Sequence, residues 1–186
     1  MPAEKALLAA SRAILSQLNF EDGIARTELR LTADNKVMLM EIAARTPGDG
    51  LLPLYHLSTG RPMEPEIIRI ALGEAVDHPA PVRVSRQVYL ETAPGTLRDV
   101  RVAYGTFAGP VWAADGEVWP DLRPGAPDDP PALRAVVVLK KRGDKIGKFA
   151  ESDDRVVTFL IDARSMGELD ELEGSVRSSI AVHIEQ

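Results

Sequence analysis

The sequence predicts an α+β fold, and three observations lead there. Apolar residues recur at helical spacing in residues 3–18, two short runs flank an Asp34-Asn35 turn, and beyond residue 81 the texture changes to brief strand-like segments. Residues 1–81 are expected to form an antiparallel sheet with flanking helices, and residues 82–186 a β-rich lobe closed by a helix.

In the opening helix, Leu7, Leu8, Ile14, Leu15 and Leu18 make one apolar stripe, ended by the segment from Asn19 to Gly23. Ala25, Thr27, Leu29 and Leu31 then alternate with Arg26, Glu28 and Arg30, and Val37 to Ile42 is the return strand of a hairpin. A helix over residues 50–59 with Gly60 behind it, and another opened by Pro65 and closed by Gly73, follow the proline-in, glycine-out asymmetry of helix ends. Residues 74–81, with Pro79 and Pro81, read as a linker. Strands are expected at 82–91, 97–102, 135–140 and 156–161, with a hairpin over 112–119 turning at Asp115-Gly116. Pro120, Pro124, Pro127, Pro130 and Pro131 mark an irregular, exposed loop. Ser165 and Glu168 form a capping box for a last helix striped by Leu169, Leu172, Val176 and Ile180.

Composition narrows the function classes. The 186 residues are 45% hydrophobic and 27% charged, an ordinary globular balance. With 22 basic against 28 acidic residues the net charge is -6, which disfavours a sequence-independent grip on nucleic acid or on an anionic membrane. The absence of cysteine removes disulfides, thiolate zinc sites and cysteine nucleophiles. No run approaches the length of a signal-peptide core or a membrane span, so a cytoplasmic location is expected.

The chemistry concentrates in the first hairpin. A turn centred on Asp34 and Asn35 places Glu28 directly opposite Glu41 on one sheet face, together with Arg26, Arg30 and Arg45, while Leu29, Leu31, Met38, Met40 and Ile42 occupy the other. Facing carboxylates with Cβ atoms about 5 Å apart repel unless something compensates. Two readings are open. A hard divalent cation, Mg2+ or Mn2+, would suit an all-oxygen pair without histidine or cysteine; alternatively, the glutamates pair with the arginines on a solvated surface. Thr46-Pro47-Gly48-Asp49-Gly50 follows, a turn into a helix whose backbone N-H groups could receive an anion.

These residues carry a resemblance. Thr27-Glu28-Leu29-Arg30-Leu31, a short turn, and Met40-Glu41-Ile42-Ala43-Ala44-Arg45-Thr46-Pro47-Gly48 resemble the metal-binding end of ATP-grasp ligases. That family usually writes the second motif Glu-x-Asn-x-Arg. The form here, with Ala43 in the asparagine position, is similar to the L-amino acid ligases that make dipeptides. Ala93-Pro94-Gly95-Thr96-Leu97 and Gly143-Asp144-Lys145-Ile146-Gly147 resemble the same branch further along, so the likeness spans nearly the whole chain.

The resemblance implies the C-terminal subdomain of an ATP-grasp enzyme that joins a carboxylate to an amine through an acylphosphate, with ATP as cosubstrate. It makes Glu28 and Glu41 the metal ligands, Arg45 the catalytic holder of carboxylate or acylphosphate oxygens, Gly48 a close backbone approach to the same group, and Arg26 a phosphate contact. An entire enzyme of this family needs an ATP-binding N-terminal half, supplied in cis or in trans, and no phosphate-gripping glycine loop stands in this sequence. The chain alone is therefore expected not to turn over; it reads as a fragment, a split-enzyme subunit or a remnant. A homodimer is compatible with the sequence. A rival reading makes it a non-catalytic interaction module that docks a partner through residues 85–160.

Other conspicuous residues read as structural. His56 sits on a helix, His78 in the linker and His183 near the C-terminus, with no metal-ligand spacing between any two. Lys140, Lys141, Arg142, Lys145 and Lys148 read as a solvated turn, and Trp112 and Trp119 point to opposite faces of their hairpin.

Overall fold

The computed structural model describes residues 2–116 and 120–186. Trp119, and with it the return strand of the hairpin expected at 112–119, lies outside the described residues. Among the described residues there are four α-helices, α1 (Pro2–Gln17), α2 (Leu51–Thr59), α3 (Glu64–Ala71) and α4 (Met166–Ser179). The strands are β1 (Arg26–Leu31), β2 (Val37–Ala43), β3 (Val84–Leu90), β4 (Gly95–Val102), β5 (Val111–Trp112), β6 (Ala132–Val138), β7 (Lys145–Ile146), β8 (Val157–Ala163) and β9 (Ile180–Glu185). They group into two compact units, Met1–Asp49 with Met63–His78, and Gly50–Pro62 with Pro79–Gln186. The sequence grouped α2 with the first hairpin; it packs with the second unit.

In the first unit β1 and β2 form an antiparallel pair. Its turn is built by Thr32, whose Oγ accepts from Lys36 N-H at 3.0 Å while Asn35, at φ 60, takes the left-handed conformation that asparagine tolerates. Helix α1 lies on this hairpin, and Ser11 and Thr27 share a hydrogen bond of 2.8 Å. Glu28 pairs with Glu41 as expected, but on the turn side Leu31 pairs with Val37 and Leu29 with Leu39, one residue short of the expected register, so Met40 is the extra residue of a β-bulge that brings Glu41 opposite Glu28. The bulge corrects one expectation. Met40 is 63% exposed and Met38 50%, so neither joins an apolar sheet face. Among the described residues of this unit, none is buried.

The core lies in the second unit. The order β3-β8-β6-β5 makes a four-stranded sheet, and β7-β4-β9 a three-stranded one. Strand β8 is central and every one of its residues is buried, which is why Val157-Thr158-Phe159-Leu160-Ile161 reads as a continuous apolar run rather than an alternation. Leu57 of α2 packs with Ala135, Val137 and Leu160 on one side. Val136, Val138, Phe159 and Ile161 pack on the other with Leu97 and Val100 of β4 and with Leu169, Leu172 and Val176 of α4. Fully burying a side chain of this size contributes roughly 1.5–3 kcal/mol.

Three features depart from the sequence reading. The chain ends on a strand rather than on a helix: Ile180 caps α4 in extended conformation, and Ile180, Val182 and Ile184 then alternate inward as β9 pairs with β4. The capping box of α4 is rearranged. Ser165 Oγ accepts from Glu168 N-H at 3.3 Å, but the Glu168 carboxylate accepts from Arg164 N-H at 3.1 Å instead of from the cap. The proline-rich loop is irregular, as expected, yet tied down. Arg83, 0% exposed in its side chain, donates to the carbonyls of Ala126, Asp129 and Pro130 at 2.8, 2.8 and 3.1 Å.

Trp112 is buried, with the Arg142 guanidinium 3.7 Å from its ring centre. Lys145 Nζ donates to Thr96 Oγ1 at 2.7 Å, which places part of the basic turn in local structure.

Helix α4 is clamped to β3 by charge. Arg86 donates to Glu173 at 2.6 Å and Asp170 at 2.7 Å, and Arg177 donates to the other Glu173 oxygen at 2.8 Å. The Arg86 guanidinium first, and Arg177 second, hold the Glu173 carboxyl below its ordinary 4.5. A depressed carboxylate stabilises the folded state above its unfolded pKa and loses that contribution as pH falls through the folded value. Below about pH 4.5, therefore, the second unit is expected to weaken progressively, and Glu173→Gln to flatten that part of the profile. Urea unfolding across the acid range measures it; identical slopes for both proteins would exclude the clamp as an acid-sensitive element.

Candidate metal and phosphate site

All five residues singled out by the sequence lie in the first unit, on or just after its hairpin. Antiparallel pairing, up to the bulge, holds Glu28 of β1 opposite Glu41 of β2. Their side chains are 41% and 47% exposed, open enough to meet a ligand. Between them stands Arg26, paired with Glu28 and 3.2 Å from Glu41 Oε1. Arg45 Nη2 lies 3.5 Å from the same Glu41 oxygen, and its Nη1 donates to Thr46 O at 3.0 Å. The like charge of two facing carboxylates is thus offset by two guanidiniums. Arg30, expected on this face, makes no ion pair among the described residues; past the bulge it pairs with Met38.

Gly48 has open space beside it: a Cβ built there would meet nothing within 4 Å. The protein itself leaves room for a side chain, so it imposes no steric demand for glycine at this position. Asp49 takes a left-handed φ of 54, a conformation uncommon for a residue with a side chain. Gly50 N-H, one of those expected to receive an anion, is already taken, donating to Gln87 Oε1 at 2.9 Å. Gln87 gives no signal in the sequence, being one of three consecutive polar residues in β3, 37 positions from Gly50.

The donor set suits one kind of metal binding and not another. Among the described residues no group of three or more histidine, cysteine or acidic side chains could hold an ion, so an all-protein cage is absent. Two oxygen ligands, Glu28 and Glu41, match the mode of magnesium, which is commonly held by one or two carboxylates and completes its shell with phosphate and water. An ion there would take over the compensation that Arg26 now provides. His56 lies on α2, in the second unit.

No protein-family model and no curated protein matches the sequence. Its fold, by contrast, is shared with solved structures. The L-amino acid ligase from Bacillus licheniformis superposes with a TM-score of 0.72 at 18% identity, over 100% of this chain and 42% of that one. Phosphoribosylglycinamide synthetase from Anaerococcus prevotii gives 0.68 at 14%, over 98% and 42%. N5-carboxyaminoimidazole ribonucleotide synthetase from Thermotoga maritima gives 0.58 at 14%, over 100% and 44%. The chain thus spans less than half the length of each. At these identities the likeness is one of fold alone, and its mixed α+β character agrees with the class expected from the sequence. Among the described residues no helix is long and apolar enough to cross a membrane.

Proposed function

We propose that this chain supplies the metal- and phosphate-binding portion of an ATP-dependent ligase that joins a carboxylate, an amino acid by the narrower resemblance, to an amine. The observation that carries the reading is the apposition of Glu28 and Glu41 across β1 and β2, with Arg45 beside them, on a fold shared with ligases. In the reaction a substrate carboxylate oxygen attacks the γ-phosphorus of ATP and the bond to ADP breaks. The amine nitrogen then attacks the acyl carbon, the C-N bond forms, phosphate leaves with the C-O electron pair, and the nitrogen loses a proton.

In this reading Glu28 and Glu41 would hold Mg2+ or Mn2+, which would supply neutralisation of the charge that develops during phosphoryl transfer. Arg45 orients the carboxylate and then the acylphosphate with its planar fork of donors. Gly48 offers a backbone approach to the same oxygens, and Arg26 turns from the glutamates toward phosphate. The ATP-gripping half comes from elsewhere, in cis or in trans, within the cytoplasm. Two facts support that: the chain spans 42% of the ligase it resembles in fold, and Leu8, Met40, Ile68 and Leu72 of the first unit stand more than half exposed, where a further part of the enzyme would cover them.

One observation favours the plainer alternative of a non-catalytic module, namely that Arg26 already pairs with both glutamates. A magnesium titration followed by NMR separates the two. Millimolar Mg2+ is expected to shift the Glu28 and Glu41 signals, and Glu41→Ala to abolish the response. Glutamate signals indifferent to Mg2+ in the unaltered chain would leave the module reading standing.

A further inference from the structure

One glutamate of the first unit stands where its helix presents an apolar stripe. Met63, Glu66, Ile67 and Ile70 are spaced as i, i+3, i+4 and i+7, so they share one face at α3. That face and the segment Gly23-Ile24-Ala25 wall a cleft of about 220 Å3, which His78, itself exposed, also lines. All of these residues belong to the first unit. Apart from Glu66 and His78, no residue of the lining carries a polar side chain.

The carboxylate in this setting lacks a counterpart. Glu66 is the third residue after the N-cap Met63, the position from which a glutamate usually reaches back to the cap N-H. Here Oε2 is buried and, among the described residues, accepts from no donor, while Oε1 accepts from Arg69 Nη1 at the long distance of 3.5 Å. The side chain as a whole is 13% exposed. A carboxylate oxygen taken out of water without a donor loses its hydration and receives nothing in exchange. The last torsion of glutamate is broad and twofold, so turning either oxygen toward the cleft costs little.

The donor that suits this place is narrow in kind. A divalent cation dehydrates reluctantly and takes several oxygen ligands, whereas here a single carboxylate stands among isoleucines. A guanidinium donates best to both oxygens of a carboxylate at once, and Oε1 already faces Arg69. A primary alkylammonium brings three N-H donors to one point and a hydrocarbon stem to lie against Ile24, Ile67 and Ile70. The cleft is smaller than the roughly 300 Å3 at which ordinary ligand pockets begin, which limits the stem to a few carbons.

We infer that the cleft between α3 and residues 23–25 is a binding site for a small primary alkylammonium, with Glu66 as its anionic anchor. The inference goes beyond the ligase reading and uses none of Glu28, Glu41 and Arg45, so it stands or falls separately.

The experiment titrates n-butylammonium chloride into the full chain and reads the Ile24, Ile67 and Ile70 methyl groups and the Glu66 side chain by NMR. The uncharged isostere 1-butanol, and potassium chloride at equal ionic strength, are titrated beside it. Expected are saturable shifts centred on the cleft with a dissociation constant of about 1 mM, an ordinary value for a ligand of so few atoms. Binding should be about tenfold weaker for 1-butanol, and about tenfold weaker for n-butylammonium in Glu66→Gln, which loses the charge-assisted bond. Glu66→Leu should bind as poorly as Glu66→Gln yet melt no lower than the unaltered chain, because it removes an oxygen that has no donor. The near-isosteric Glu66→Gln carries the comparison if Glu66→Leu does not fold. Equal affinity for n-butylammonium and 1-butanol, equal affinity in Glu66→Gln, or shifts reproduced by potassium chloride overturns the site. Shifts centred on Glu28 and Glu41, or no response at all, overturn it too, and each leaves the Mg2+ titration of those two glutamates to be judged by its own result.

Discussion

Asp162→Ala is expected to lower the stability of the second unit by about 3–5 kcal/mol, the range seen when one partner of a buried ion pair is removed. Among the described residues Asp162 is the carboxylate that accepts from both arginines of a largely buried cluster. It accepts from Arg83 Nε at 3.1 Å and from Arg134 Nε at 2.8 Å, and its side chain and that of Arg83 are both 0% exposed. Without it the buried Arg83 and the part-buried Arg134 lose the carboxylate to which both donate. Asp162→Asn keeps an acceptor and loses only the charge, so it should fall between the wild type and Asp162→Ala. Urea unfolding followed by tryptophan fluorescence measures all three, Trp112 being buried in the same unit. A difference below about 1 kcal/mol, the value of an exposed pair, would mean that the cluster is hydrated in solution.

This cluster also differs from buried ion pairs that can be exchanged for apolar groups at little cost. Arg83 satisfies three loop carbonyls besides Asp162, so an apolar side chain in its place would strand the carbonyls of Ala126, Asp129 and Pro130 in addition to the carboxylate. The proline-rich loop, which makes few bonds of its own because proline lacks an N-H, borrows its order from one arginine. Loosening of that loop should accompany any loss of Arg83.

What the sequence disclosed and what it withheld follow from the range of the interactions involved. The Glu28–Glu41 apposition agrees with a count outward from Asp34 and Asn35, but the pairs nearest the turn, such as Leu31 with Val37, run one residue short of that count and the bulge makes up the difference. The bulge at Met40 is not legible, because a methionine in an apolar run carries no mark of being unpaired. Strand β9 was hidden by arithmetic: Ile180 continues the stripe of Val176 at a spacing of four as readily as it starts the alternation through Val182 and Ile184. Only pairing with β4 decides between them. The placement of α2 and the Arg83–Asp162 pair depend on partners far along the chain, 79 positions apart in the second case, and single-sequence patterns hold no trace of such distances. At the candidate site, residue types and spacing point to Glu28, Glu41, Arg45 and Gly48, whereas in the second unit the bond from Gly50 to Gln87 emerges only once β3 is folded beside the start of α2.

The largest functional effect is expected at Arg45 once this chain is joined to an ATP-binding half. Arg45→Ala should reduce kcat/KM by about 100–1,000-fold, the range for removing one preorganised donor from a developing oxyanion. Its structural cost should be small. The side chain is 53% exposed, its contact with Glu41 spans 3.5 Å, and exposed pairs of this kind contribute at most about 1 kcal/mol. The informative variant is Arg45→Lys. Lysine restores the charge but not the planar fork, so if Arg45 holds two oxygens of a carboxylate or acylphosphate at once, lysine should recover only a minor share of the activity. If it serves only to balance Glu41, lysine should recover nearly all of it. Steady-state kinetics of the joined enzyme, read beside unchanged melting of the three proteins, decides between an arginine that works on the substrate and one that merely neutralises its neighbour.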